Sequence, residues 1–133
     1  MHVDGLVTLP SAHSTKVTID RLAAEIKAKG MSVFARVDHA AGAEEAGMAL
    51  RPTELLIFGN ARGGTPLMQA VQTIGIDLPL KALAWEDADG KVWLSYNELA
   101  WIVARHGASD LTAGAAGRLG TALAGLAKTA AGG

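Results

Sequence analysis

The chain has 133 residues, of which half are apolar and about a fifth are charged, the composition of one ordinary globular domain. It carries 12 Lys and Arg against 13 Asp and Glu, so it lacks the basic surface on which nucleic-acid binding depends. The absence of cysteine excludes disulfides, thiolate catalysis, iron–sulfur clusters and thiolate-ligated zinc.

The chain shows no pattern of a targeting or membrane segment. No basic region followed by an apolar stretch opens the sequence, as a signal peptide would require. No run of residues is long and apolar enough to span a bilayer. We therefore expect a cytoplasmic protein of bacterial type that binds neither membranes nor nucleic acids.

The first third of the chain alternates short strands and helices. Val3–Leu9 is typical of a short strand, and Thr18 is expected to cap a helix that ends at Gly30. Apolar and polar residues alternate in 33–37, which indicates a second strand. The Ala- and Glu-rich segment 40–48 that follows is typical of a short helix.

A third strand and a glycine-rich segment occupy the middle of the chain. Leu55–Phe58 is a continuous apolar run of strand length. Thr65 followed by Pro66 is the pattern of a helix start, and the helix is expected to end at Gly75. Residues 59–64 are then expected to form a loop between this strand and the helix.

The next segment predicts a β-hairpin. Two alternating runs, 80–86 and 91–96, flank a turn that contains Asp89-Gly90, a strong short-range hairpin signal. Asn97 is expected to cap a final helix that ends at Gly107. Because a hairpin makes the sheet at least partly antiparallel, the order of elements predicts an α+β fold.

The carboxy-terminal segment differs in composition from the rest. From Ser109 onward it is rich in Ala and Gly, and each glycine weakens a helix by about 1 kcal/mol relative to Ala. We expect residues 1–108 to form the domain, and residues 109–133 to form a helical or frayed appendage.

Several segments together resemble one protein family, the domain-of-unknown-function family 302. They are FARVDH (34–39), EAGMALRPTELLIFGN (45–60), GTPLMQ (64–69) and IGIDLPLKALAWEDADGKVWLSYN (74–97). The resemblance covers roughly residues 15–107. It implies a curved, mostly antiparallel sheet covered by helices, as in the TATA-binding-protein-like arrangement, and a tendency to form homodimers. The family has no assigned reaction, and for some relatives haem binding is suggested.

The candidate site is expected to bind a small ligand or a cofactor such as haem. His39 would ligate a metal or handle a proton, and the segment from Asn60 to Thr65 would hold an anionic or polar group. Trp85 and Tyr96 would form an apolar wall. The full set of candidate ligand-binding residues is His39, Asn60, Thr65, Met68, Lys81, Trp85 and Tyr96.

Two other functions remain open at this stage. A small enzyme could use His39 as a base together with Asp38 or Glu54. A structural or interaction module would use the same residues only to build the fold and the dimer. In that case Glu54, which opens an apolar strand, needs a cationic partner such as Arg36 or Lys81. His106, in the last turn of a helix, is explained by the helix dipole alone.

Overall fold

A computed structural model describes residues 2–133. Five strands form one antiparallel sheet in the order β1-β5-β4-β3-β2, which confirms the predicted α+β class. The strands are β1 (Leu6–Pro10), β2 (Ser32–Asp38), β3 (Thr53–Gly59), β4 (Leu80–Glu86) and β5 (Val92–Asn97). The helices are α1 (Thr15–Ala28), α2 (His39–Glu45), α3 (Ala61–Ala70), α4 (Leu99–Arg105) and α5 (Ser109–Ala131), with a 3-10 helix at Gln72–Ile76.

One face of the sheet forms the core. Alternate residues of the central strands, such as Leu56 and Phe58 on β3 and Ala84 on β4, are fully buried. The apolar side of α1, including Ile19 and Leu22, is buried in the same cluster. Helix α5 packs against α1, and both helices contact the sheet. Burial of this apolar area is the main force that stabilises the domain.

The opposite face of the sheet is called the open face here. Residues paired across neighbouring strands lie on the same side of a sheet, so the ladder fixes which side chains share this face. Most of them are apolar and half-buried or exposed, and Lys81 is the charged residue among them. The open face comprises Ala35, Val37, Leu55, Ile57, Lys81, Leu83, Trp85, Trp93 and Ser95.

The start of α3 differs from the sequence prediction. Asn60, and not Thr65, caps the helix, and its side-chain Oδ1 accepts a hydrogen bond of 2.7 Å from the backbone N–H of Gly63. Thr65 and Pro66 therefore lie inside the helix, and the predicted loop at 59–64 is mostly helical. Asn is at least as strong a cap as Thr, so both starts are locally allowed, and the packing of the completed fold selects the earlier one.

Two other helix starts are also shifted. Ser14 caps α1, whereas the expected cap, Thr18, is buried and donates its hydroxyl to the backbone carbonyl of Ser14. Glu98, not Asn97, precedes α4. The hairpin is as expected, since Gly90 has a positive φ of 80° in the turn between β4 and β5.

The carboxy-terminal segment is part of the core and not an appendage. Helix α5 packs against α1, α3 and α4, and Leu123, Leu126 and Ala127 on it are buried. Residues 109–131 are therefore helical, one of the two forms expected for them, and their buried side chains lie in the same core cluster as those of the preceding residues. Gly weakens an isolated helix, but the small side chains of Ala and Gly let neighbouring helices approach closely, and tertiary packing determines helix stability.

Candidate functional site

A cavity of about 310 Å³, called the apolar pocket here, lies beside the junction of β3 and α3. Its walls come from the end of β3, the first turns of α3, the segment 75–80 and one residue of α5. The volume is at the lower end of the range for small-molecule sites, and such sites are mostly apolar with a few polar groups. The residues that carry the argument are Phe34, Asn60, Gly64, Met68, Gly75 and Leu78.

Glycines open this pocket. A Cβ placed on Gly64 would lie 3.5 Å from Cδ1 of Leu78 and 3.7 Å from Cε of Met68. A Cβ placed on Gly75 would lie 3.3 Å from Sδ of Met68. The missing side chains at both positions therefore leave space around Met68, a flexible residue suited to varied ligand shapes.

Phe34 lies at the opening of the pocket because of a β-bulge. The register between β2 and β3 shifts between Val33 and Ala35, so Phe34 is the extra residue of the bulge. It is 57% exposed, although it lines the cavity. Bulges commonly redirect a side chain next to a functional site, and a large exposed aromatic residue at a pocket rim is typical of a binding surface.

An ionic cluster anchors the wall formed by residues 75–80. One guanidinium nitrogen of Arg105 donates to both carboxylate oxygens of Asp77 at 2.8 and 2.9 Å. Nε2 of His106 donates to Oδ2 of Asp77 at 2.6 Å, and Nδ1 then accepts from the hydroxyl of Thr73 at 2.9 Å. Asp77 directly precedes Leu78, so the cluster fixes one side of the pocket.

The same cluster shifts the titration of Asp77. Burial acts to raise the pKa of this carboxyl, but the hydrogen bond from His106 and the positive charge of Arg105 outweigh it. The pKa of Asp77 therefore lies below its ordinary value. The prediction that the helix dipole alone explains His106 is wrong, because α4 and the 3-10 helix bring it against Asp77 and Thr73.

The structure does not bring His39 to the pocket. His39 follows Asp38, which pairs with Glu54, whereas Asn60 follows Gly59 at the other end of the same ladder. Six residue steps of β2, from Ser32 to Asp38, separate the two ends, a distance of about 20 Å. His39 is exposed at the first position of α2.

The surroundings of His39 do not fit a haem or metal site. Within residues 2–133, no three His, Cys, Asp or Glu side chains gather in a way that could hold a metal ion. A haem also needs an apolar pocket around its ligand, and His39 is not among the residues that line the apolar pocket.

The two carboxylates considered for catalysis have structural partners. Asp38 caps α2, and its Oδ1 accepts a hydrogen bond of 2.9 Å from the backbone N–H of Ala41. Glu54 accepts a hydrogen bond of 2.8 Å from Nε of Arg36, the partner expected from the sequence. Arg36 also binds Asp20 on α1, so this ion-pair network links β2, β3 and α1.

Three of the remaining predicted residues, Lys81, Trp85 and Tyr96, contribute to one cavity of about 270 Å³ at the open face, which is separate from the apolar pocket. Asn60 and Met68 line the apolar pocket, and Thr65 is exposed on α3 outside it. Lys81 and Trp85 lie on the open face, where Nζ of Lys81 donates to the carbonyl of Pro79 at 3.0 Å. Tyr96 lies on the helix side of β5, where burial and then the charge of Glu98 raise its pKa.

The two hairpin tryptophans stack on each other. The ring centroids of Trp85 and Trp93 are 6.3 Å apart with an interplanar angle of 29°. Nε1 of Trp85 donates to Ser95, and Nε1 of Trp93 donates to Asp87, each at 2.9 Å. Both polar groups are therefore satisfied within the fold, and the pair packs against itself instead of forming a wall of the apolar pocket.

Four pocket residues were not predicted from the sequence: Phe34, Gly64, Gly75 and Leu78. They come from three separate segments, and their proximity depends on the sheet order and on the early start of α3. The available signal was the concentration of glycines between 59 and 75, of which those between Asn60 and Thr65 were expected to belong to a loop that holds an anionic or polar group.

The chain belongs to the family described as "Domain of unknown function DUF302", whose model matches residues 7–126. The match includes most of α5, so the segment expected to lie outside the family is largely inside it. The chain is also similar to a solved structure, the crystal structure of uncharacterized conserved protein DUF302 from Bacillus stearothermophilus. The TM-score is 0.85 at 18% identity, over 96% of this chain and 99% of that one, which shows the shared fold.

Two curated relatives carry the name Fluoride-specific ion channel FluC 1, from Brucella suis and Brucella abortus. Each is 62% identical over 102 residues, which is 77% of this chain but only 40% and 38% of the relatives. The chain thus spans about two-fifths of the length of the curated relatives it matches. Among residues 2–133, no helix has the length and apolar character needed to cross a membrane.

Asp77→Asn is expected to lower the free energy of unfolding at neutral pH by about 2 kcal/mol, because it removes the charge from a carboxylate that accepts hydrogen bonds from Arg105 and His106. Urea unfolding measures the change. Asp89→Asn, at an exposed turn position, is the control and should stay within about 0.5 kcal/mol.

The free energy of unfolding lost in Asp77→Asn should depend on pH, and the lowered pKa of Asp77 determines the direction of that dependence. A carboxyl group with a depressed folded-state pKa contributes stability above its unfolded pKa of about 3.9, and this contribution disappears as the pH falls through the folded value. The difference between wild type and Asp77→Asn should therefore shrink below about pH 4. A difference that stays constant through that range would contradict the assignment.

Proposed function

We propose that this DUF302 domain is a cytoplasmic binding protein that holds a small, mainly apolar ligand in the apolar pocket. The observation that carries the proposal is the glycine-opened space around Met68, with exposed Phe34 at its rim. A cleft lined mostly by carbon atoms favours an apolar ligand, because the ligand leaves water and gains dispersion contacts with the walls.

Several features favour binding over catalysis. Near the pocket, the ionisable groups of Asp77, Arg105 and His106 bind one another. At the other end of the sheet, Asp38 caps a helix and Glu54 pairs with Arg36, so neither carboxylate is placed as the partner of a histidine base. The pocket itself offers shape, carbon surface and the polar side chain of Asn60.

Gly64→Ala is expected to weaken binding of octanol, used as an apolar probe, by about tenfold, because the added methyl group occupies space beside Leu78 and Met68. The same change should stabilise α3 by about 1 kcal/mol, so weaker binding would not reflect unfolding. Amide chemical shifts of the ¹⁵N-labelled protein measure both the affinity and the location of the probe.

Gly42→Ala is the matched control for this experiment. Gly42 also lies in a helix, and a Cβ there would have no neighbour within 4 Å. Equal octanol affinities for the two variants, or shift changes that avoid Gly59, Gly75 and Leu80, would contradict the proposed site.

The homodimer implied by the family resemblance stays a prediction, and the open face is the surface we propose for it. Its apolar residues, such as Leu55, Ile57 and Leu83, surround one cation, so a second copy would meet a surface of the same character. Leu55→Lys should then produce monomers in light scattering. Val17→Lys, at an exposed apolar position on α1, is the control and should leave the mass unchanged.

We further propose that the domain works with a fluoride channel. The support is the name of the Brucella relatives, which contain a region 62% identical to this chain together with further sequence. In that arrangement, the ligand state of the domain would modulate the channel to which it is attached.

The Brucella suis relative offers the test. We expect fluoride efflux from liposomes containing the full-length relative to change when octanol is added. The same relative without its matched region should not respond. Equal responses of the two proteins would contradict a regulatory role.

A further inference from the structure

A second cavity lies next to the apolar pocket. It has a volume of about 680 Å³ and is called the cationic groove here. Its walls are the carboxy-terminal end of α1, the first turns of α3 and one side of α5. Small residues of α5, such as Ala122 and Gly125, form its floor, and charged side chains surround it.

Positive charge predominates around this groove. Lys29, Arg62 and Arg118 line it, against the single carboxylate of Glu25. Among the residues that the structure describes, none of these three cations forms an ion pair. The protein as a whole has a formal net charge of −1, so the excess of positive charge is local to this groove. A concave surface of one charge concentrates ions of the opposite sign.

The groove and the apolar pocket are immediate neighbours. Asn60 and Leu119 line both cavities. Gly63 belongs to the groove and the adjacent Gly64 to the pocket, so the first turn of α3 lies between the two, and only glycine separates them at this turn. A Cβ on Gly63 would lie 3.2 Å from Cδ1 of Leu119, so glycine is what allows α3 to approach α5 this closely.

We propose that the ligand of this domain is an anionic amphiphile. Its apolar body lies in the pocket beside Met68 and Leu78, and its anionic oxygen group lies in the cationic groove, bound by Arg62 and Arg118. This inference rests on the proposed function and specifies the chemical class of its ligand, an alkyl chain that ends in a carboxylate or a phosphate.

Arginine is suited to this role. Its planar guanidinium donates two parallel hydrogen bonds to a carboxylate or phosphate and keeps its charge at every physiological pH. The guanidinium of Arg118 packs over Gly114, at 3.4 Å from where a Cβ on that glycine would be, so the absence of a side chain at 114 accommodates it. Neutral and cationic amphiphiles would gain nothing from these groups.

The experiment compares octanoate, octyl phosphate and octanol, which share the alkyl chain and differ in the head group. Isothermal titration calorimetry measures their affinities for wild type and for Arg62→Gln/Arg118→Gln. The control variant, Arg51→Gln/Lys91→Gln, removes the same charge at exposed positions outside both cavities.

In the Arg62→Gln/Arg118→Gln variant, we expect affinity for octanoate and octyl phosphate to fall about tenfold or more, with octanol unchanged. The control variant should bind all three as wild type does. Added salt should weaken the anionic probes selectively. The probe bound more tightly by wild type identifies the head group as carboxylate or phosphate.

Two results would overturn the inference in distinguishable ways. One such result is that octanol binds wild type as tightly as the two anionic probes do, with all three affinities unchanged in Arg62→Gln/Arg118→Gln. In that case the apolar pocket still binds a ligand, but the anionic class of ligand is wrong. If none of the three probes binds wild type, the proposed function itself is wrong.

Discussion

The close approach of α3 to its neighbours is the constraint on which the candidate site depends. The first turn of α3 lies against Leu119 of α5 and against Leu78, and Gly63 and Gly64 make room for both contacts. Asn60 starts the helix directly after β3, which places this turn at the carboxy-terminal end of an interior strand of the sheet. Without these residues, the pocket would be filled by side chains or α3 would lie farther from the core.

The α+β class could be predicted from the sequence, because most strands and helices carry a local signal of periodicity, composition or capping, and the Asp89-Gly90 turn indicates one antiparallel pair. The start of α3 could not, because two good caps, Asn60 and Thr65, lie five residues apart and only packing selects between them. The role of α5 was missed for a related reason. Helix propensity measures the isolated segment, whereas Leu126 and its neighbours are stabilised by burial.

The candidate site was predicted only in part. Asn60 and Met68 line the apolar pocket, but His39 lies at the other end of the β2–β3 ladder, about 20 Å away along the strand. A residue type such as histidine suggests chemistry, but its position in the sheet register decides which groups it can meet. The role of Phe34 likewise depends on its position in the sheet. Only the bulge in β2 explains why this aromatic residue lies exposed at the pocket rim.

The central claim is that the apolar pocket and the cationic groove together hold one anionic amphiphile. Native mass spectrometry of the freshly purified protein, with its visible absorption spectrum, tests this most directly. The account predicts a colourless adduct on each chain that is extracted by organic solvent and ionises as an anion. A chain that carries no adduct, even after incubation with octanoate, would contradict the account, and a Soret band would instead indicate haem.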